Sequence, residues 1–333
     1  MHFTRKSLIV PFGATLLVAS SIVCADAPIS VEPLSAADLL AFYEMQSATP
    51  PTTEAAVPAA DSAPTADGTR SAGDFNLTFS PALWMARVRG NTSWNGPNFT
   101  IDDQLGQSEY EATLSGELAA SWGVFYKVML TGWFFSTDGT TSATTGGAYG
   151  SVAISVGDQL SNSYSAAGAG GEFDVTLWQP FADQKTPWGP TIVNTRNTAP
   201  DGGYKADLRI KAIGAVRWYS ASISVNDQTT GVSDSWSMDA VMPGIGGGLE
   251  LDFNFKGRVP LVEMIKIEAS SGTGTNFVNG QYFTFIRAGI TAMFTPNVGV
   301  QFGYRLEDFK LVNDAANFDG GVQGLFLGAN VKF

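Results

Sequence analysis

The stretch YKADLRIKAIGAVRW, residues 204–218, alternates with a period of two. Lys205, Asp207, Arg209, Lys211 and Arg217 fall on one parity, and Ala206, Leu208, Ile210, Ala212, Val216 and Trp218 fall on the other. Successive side chains of a strand point to opposite faces, so these two sets become a charged face and an apolar face. A helix would need apolar spacing near 3.6, which the stretch lacks. A soluble sheet can alternate in the same way. The apolar face here combines small residues, large residues and aromatics, as a lipid-facing surface does.

The pattern recurs on both sides. Tyr110, Ala112, Leu114, Gly116, Leu118 and Ala120 oppose Glu109, Glu111, Thr113, Ser115 and Glu117. Tyr126, Val128, Leu130 and Phe134 oppose Lys127, Met129 and Thr131, and Val298, Val300, Phe302, Tyr304 and Leu306 oppose Gln301, Arg305 and Glu307. Short turn signals at Ser121-Trp122-Gly123, Asn254-Phe255-Lys256-Gly257 and Thr295-Pro296-Asn297 alternate with longer polar stretches at 91–108, 137–150, 225–235, 272–280 and 312–320. That asymmetry predicts an all-β fold, an antiparallel transmembrane β-barrel of about ten strands with bounds of eight to twelve. The strands are expected near 75–90, 109–121, 124–136, 171–181, 204–221, 237–253, 261–271, 281–294, 298–310 and 321–333. Residues 148–164 offer an additional hairpin that would raise the count to twelve, and the long Pro-containing stretch 182–203 stands where a short turn is expected.

Composition agrees with this class. Charged residues make up 15% of the 333 residues and aromatics 12%, with 37 glycines, against roughly a quarter charged in an ordinary soluble domain. The net charge of −12, from 19 Lys+Arg and 31 Asp+Glu, leaves no basic footprint for nucleic acid. Residues 1–27 read as a signal peptide: Arg5 and Lys6 precede an apolar run from Leu8 to Val23, and Ala25-Asp26-Ala27 supplies the cleavage site. A membrane anchor is the alternative, weakened by Pro11 and Gly13. A lipoprotein acylated at Cys24 is another, weakened because Ser21-Ile22-Val23 lacks a small residue before the cysteine. Residues 28–73 form a disordered N-terminal arm. Positions 35–46 within it are either a short helix, with Ser35 to Asp38 as a capping box, or a transient turn. Residues 47–73, rich in Ala, Pro, Thr and Ser, are a linker. The barrel is then 74–333.

Chemistry is scarce. Cleavage would remove the only cysteine, Cys24, and the only histidine, His2. No thiolate, imidazole or zinc site would remain, and no cofactor or catalytic role is expected. Gly244-Ile-Gly-Gly-Gly248 lacks the Lys-Ser/Thr of a phosphate loop and is better explained by close backbone approach or curvature in a strand. Asp102-Asp103 and the acidic stretch 307–319 lack the spacing of a calcium loop. The residues expected to line the lumen are Lys205, Asp207, Arg209, Lys211, Arg217, Glu250, Asp252, Lys266, Glu268, Arg287, Arg305 and Glu307. In a narrow interior such charges either pair into a polar plug or line a pore. Trp84, Trp122, Trp133, Trp178, Trp218 and Trp236 are expected in an interfacial girdle.

The last ten residues, GLFLGANVKF (324–333), place Leu325, Leu327, Ala329, Val331 and Phe333 on one parity. This resembles the C-terminal strand of Gram-negative outer-membrane barrels, and the span Gly303 to Phe333 resembles the closing hairpin of small OmpA/OmpW-like barrels. The resemblance in motif covers about the last thirty residues, and ten strands depart from the eight usual in those families. It implies an outer-membrane location, contact with outer-membrane lipid, and recognition by the barrel-assembly machinery through Leu327, Ala329, Val331 and Phe333. The functional expectation is a narrow passive channel for small solutes. The alternative is a non-transporting structural or surface-interaction barrel whose arm meets a periplasmic partner. A soluble periplasmic ligand-binding barrel would need an apolar lumen-facing parity, whereas the charges fall there.

Overall fold

A computed structural model describes residues 75–123, 125–179, 205–255, 259–277 and 280–333. The signal-peptide, arm and helix expectations at 1–73, the stretch 182–203, the turn residues Lys256 and Gly257, and the side chain of Lys205 lie outside the described residues.

Ten long strands form the wall. They are β1 (Phe75–Trp94), β3 (Glu111–Trp122), β4 (Tyr126–Ser142), β7 (Gln159–Trp178), β8 (Lys205–Asp227), β9 (Val232–Asn254), β10 (Met264–Thr275), β11 (Tyr282–Met293), β12 (Val298–Val312) and β13 (Ala316–Lys332). Each pairs antiparallel with the next, and β13 pairs back onto β1, so the sheet closes. Phe79 lies opposite Val331 and Leu83 opposite Leu327 at the seam. The Phe333 N–H donates to the Leu77 carbonyl at 2.7 Å, extending the seam to the last residue. Closure gives every wall strand a partner on both sides, so the sheet has no edge strand, as a lipid-spanning sheet requires.

Alternation decides which side chains face which way. Leu83, Leu114, Leu130, Val241, Ile290, Phe302 and Leu327 are exposed on the outer face. Trp84, Met129, Phe135, Tyr219, Met242, Phe285 and Phe309 are buried inside. A continuous apolar exterior is costly in water and is explained by lipid.

One end carries tight connections at 123–125 and 294–297 (the turn end). The other carries 95–110 and 143–158 (the loop end). The strands run further toward the loop end than their sequence bounds predict. Stretches 225–235 and 312–320 are mostly strand, joined by connections at 228–231 and 313–315, and β10 takes in 272–275 of the stretch 272–280. Local hydrogen bonds replace a long loop at 228–231. The Asp227 carboxylate accepts from the Thr229 N–H at 2.8 Å and the Thr230 hydroxyl at 2.6 Å. Gly231 turns the chain at a φ of 73°. The hairpin expected within 148–164 exists only in miniature. β5 (Gly147–Tyr149) and β6 (Val152–Ile154) pair with each other outside the wall, and β2 (Phe99–Thr100) adds a short pairing to β1. The wall strand β7 starts at Gln159, twelve residues earlier than the expected 171, because its inward small residues look less amphipathic than a Leu/Lys alternation.

Candidate functional site

The barrel interior is divided across its length. Toward the turn end it is ionic. Arg209 bonds Asp207 at 2.9 Å and makes close ion pairs with Glu250 and Asp252. Glu250 also pairs with Lys211 and, at 3.3 Å, with Lys266, which reaches Glu268 at 2.5 Å. The register explains this convergence. Arg209 lies opposite Glu250 across β8–β9, and Glu250 lies opposite Glu268 across β9–β10. A second group spans the lumen. Arg217 of β8 pairs with Glu172 of β7. Arg287 of β11 meets Glu117 of β3 at 2.9 Å and Glu172 at 3.6 Å. Arg305 meets Glu117 at 3.4 Å and Glu307 at 3.2 Å. Buried charges are tolerated when paired and hydrogen-bonded, and removing one partner leaves the other stranded.

Between these groups lies a cavity of about 70 Å³, reaching from Ser121, Gly123 and Phe125 at the turn end to Arg209 and Glu250. Asp174 lines it, and its Oδ1 has no hydrogen-bond partner among the described residues.

Toward the loop end the lumen is aromatic. Rings from non-adjacent strands touch across it: Tyr219 of β8 stacks on Phe309 of β12 at 4.6 Å, and Tyr164 of β7 stacks on Phe318 of β13 at 5.6 Å. Trp133 of β4 joins Trp84 at 5.6 Å and Tyr219 at 6.3 Å. Glycine makes room for the rings. A Cβ at Gly168 would stand 2.4 Å from the Trp133 ring, and one at Gly244 would stand 2.5 Å from Phe283. The Gly244–Gly248 run therefore serves close approach, here of an aromatic ring.

The two longest described loops complete this core. Ile101 and Leu105 of the first are fully buried, and the Leu105 carbonyl accepts from the Asn162 side chain at 3.0 Å. Tyr149, Val152 and Ile154 of the second are buried in the same cluster. The Tyr149 hydroxyl bonds Thr92 at 2.9 Å and accepts from the Trp236 indole at 2.5 Å. Burial pushes the Tyr149 phenol up to about 12. Asp234 holds the same loop at its exposed rim, accepting from the Ser151 N–H at 2.8 Å. Bonds from Ser151 hold its carboxyl below the usual range.

Asp207, Arg209, Lys211, Arg217, Glu250, Asp252, Lys266, Glu268, Arg287, Arg305 and Glu307 all point into the ionic half. Glu117, Lys127, Glu172 and Asp174 belong with them and were missing from the expected lining. Glu117 and Lys127 sit on polar parities already visible in the sequence. Glu172 and Asp174 follow the bland run Ala166 to Gly171, which hides its own alternation.

Three expectations are corrected. Trp84, Trp133 and Trp236 are not girdle residues. They lie on the inward parity and are buried at 0%, 6% and 7% exposure. Only Trp122, Trp178 and Trp218 of the named six face outward, with Phe75 packed on Trp122 at 5.5 Å. The lumen-facing parity is not charged throughout, because its loop-end half is apolar. The acidic stretch 307–319, expected as loop beyond residue 310, is strand apart from the connection 313–315. Glu307 points inward and accepts from the Tyr219 hydroxyl at 2.6 Å, while Asp319 accepts from Tyr282 at 2.7 Å. Leu325 and Leu327 of β13 and Phe333, which follows it, are exposed, and Ala329 shares their parity.

No family model matches the chain, and no curated protein matches it. Among solved structures, it is similar to the attachment invasion locus protein Ail of Yersinia pestis, at 11% identity and a TM-score of 0.31, over 78% of this chain and 99% of that one. It is similar to the outer membrane protease OmpT from Escherichia coli, at 10% identity and a TM-score of 0.34, over 78% and 97%. It is also similar to an outer membrane channel from Pseudomonas putida F1, at 11% identity and a TM-score of 0.25, over 82% and 100%. Likeness of this degree says nothing of activity. The closed wall, its apolar outer face and its two-part interior describe an antiparallel transmembrane β-barrel of ten strands.

Proposed function

We propose that this chain is an integral outer-membrane barrel that is shut to solute diffusion and acts as a structural or surface-interaction protein. One observation carries the reading: aromatic rings from opposite walls meet in the loop-end half of the lumen, sealed by two inturned loops. A solute crossing there would have to part stacked, buried rings, and a dry apolar constriction is itself a barrier to ions. With the longer loops facing outward and the tight turns in the periplasm, the seal lies on the exterior side and the ionic half on the periplasmic side. Assembly would use the exposed outer face of β13 from Leu325 to Phe333. The reading includes no catalytic activity, since the only histidine is His2 and the only cysteine Cys24. It also leaves out the solute uptake that an OmpW-like resemblance would imply.

The test is conductance of the full chain refolded and inserted into a planar bilayer, with Arg209→Gln and Glu250→Gln in parallel. A folded, heat-modifiable and electrically silent barrel is expected. Discrete openings whose ion selectivity shifts with either substitution would overturn the reading and establish a pore.

A further inference from the structure

The outward-facing cations are not scattered. Among the described residues they are Arg87 and Arg89 on β1 and Lys310 on β12, and β13 alone separates those two strands. Lys310 is engaged by Asp319 at 3.2 Å. Neither arginine has an ionic partner among the described residues, and the Arg87 Nε is buried without a hydrogen bond.

Their depth is set by the strand. Leu83 and Met85, the two preceding outward residues, belong to the apolar exterior, while Asn91 and Ser93, the two following, are polar. Arg87 and Arg89 therefore stand at the loop-end edge of the lipid-facing surface, where headgroups lie. The Arg87 guanidinium sits 4.9 Å from the ring of the exposed Tyr110. Beside it, Gln323 lies opposite Arg87 across the seam and accepts from the Tyr304 hydroxyl at 2.9 Å. This sets Arg87 among interfacial tyrosines. The outward carboxylates nearest Arg89 are Asp319, which is engaged by Lys310 and Tyr282, and Asp308, which lies across Gly321, and neither forms an ion pair with it.

We infer that Arg87 and Arg89 form a binding site on the barrel wall for the phosphates of an outer-leaflet lipid headgroup. Guanidinium forks match phosphate oxygens in geometry as well as in charge. The chain carries a net charge of −12, whereas this patch holds three cations, Arg87, Arg89 and Lys310, against the two carboxylates Asp308 and Asp319. The assignment to the outer leaflet rests on the orientation proposed above.

The test measures lipid binding to the full chain in detergent micelles by native mass spectrometry. The probes are a bisphosphorylated diglucosamine lipid and its dephosphorylated form. The phosphorylated lipid should bind about tenfold more tightly, as for one or two charge-assisted hydrogen bonds. R87Q/R89Q should lose that difference, while R87K/R89K should keep part of it. Equal binding of the two lipids, or full binding by R87Q/R89Q, overturns the site. Displacement by inorganic phosphate overturns the lipid assignment in favour of a free-anion site. Should the double glutamine variant fail to heat-modify, R89Q alone, at the exposed position, carries the same comparison. Conductance is read separately, so a silent barrel with no phosphate preference refutes only this inference.

Discussion

Follow β8 from one end of the barrel to the other and its inward side chains change character: Asp207, Arg209 and Lys211 near the turn end, then Tyr219, Ile223 and Val225 near the loop end. β9 does the same in reverse, from Trp236, Met238 and Met242 to Glu250 and Asp252. One backbone geometry thus supports two kinds of interior. In the ionic half, cohesion comes from pairs whose desolvation cost offsets much of their mutual attraction, so their net contribution to stability is small. In the aromatic half, cohesion comes from buried area and ring contacts, which contribute stability outright. The comparison explains why the two long loops turn inward only at the loop end: they bring Ile101, Leu105, Tyr149 and Val152, which an ionic interior would not bury.

Breaking either half should be expensive. Phe309→Ala would open a cavity beneath Tyr219 and Phe318, at about 3–5 kcal/mol. Glu250→Ala would strand Arg209, Lys211 and Lys266, also at about 3–5 kcal/mol. Urea unfolding of the lipid-reconstituted protein measures both. The halves should then part in the reverse experiment. Replacing Glu172 and Arg217 together by apolar residues of similar volume should be neutral or stabilising by about 1–4 kcal/mol, although Arg287 would lose its second carboxylate contact. A loss as large as that of Glu250→Ala would show that the ionic half contributes net stability after all.

Smaller changes sharpen the aromatic side. Gly168→Ala would press a methyl group into the Trp133 ring and should cost about 1–3 kcal/mol, visible as altered near-ultraviolet circular dichroism. Tyr149→Phe removes the partner of Thr92 and of the Trp236 indole and should cost about 1–3 kcal/mol, read as faster proteolysis within 143–158.

The smallest effects are those of pH on the same loop. Folding raises the Tyr149 phenol from 10.0 to about 12, so the folded state holds its proton more tightly. The resulting stability is complete below pH 10 and is lost as pH rises toward 12. Folding lowers the Asp234 carboxyl from 3.8, so its contribution is complete above that value and is lost as pH falls below it. Protease sensitivity of 143–158 should therefore rise at both extremes. Asp234→Asn should remove only the acid limb.

Legibility followed contrast between neighbouring side chains. Alternations such as Lys205 to Trp218 and Leu325 to Phe333 reveal strand, face and closure by themselves, since each pairs a charged or small residue with a large apolar one. The start of β7 did not, because Gln159 to Gly171 is built from Ser, Ala, Gly and isolated larger residues. The inward tryptophans escaped for another reason. An indole suits an interface and a packed core equally well, and only its parity relative to strand neighbours separates the two. Trp133, two residues beyond Thr131 on the inward parity, carried that signal, whereas proximity to a strand end pointed the other way.

What the sequence determined by itself is local: a period of two and, in the high-contrast strands, which parity faces lipid, both set by adjacent residues along one strand. Which inward residues meet was decided only by the closed barrel. Tyr219 and Phe309 stack across 90 residues of chain, and Arg287 reaches Glu117 across 170. Shear and closure bring those strands face to face, and no pattern along a single strand encodes that distance. The tertiary structure therefore decided that the charges form a network at one end and that the lumen is sealed at the other.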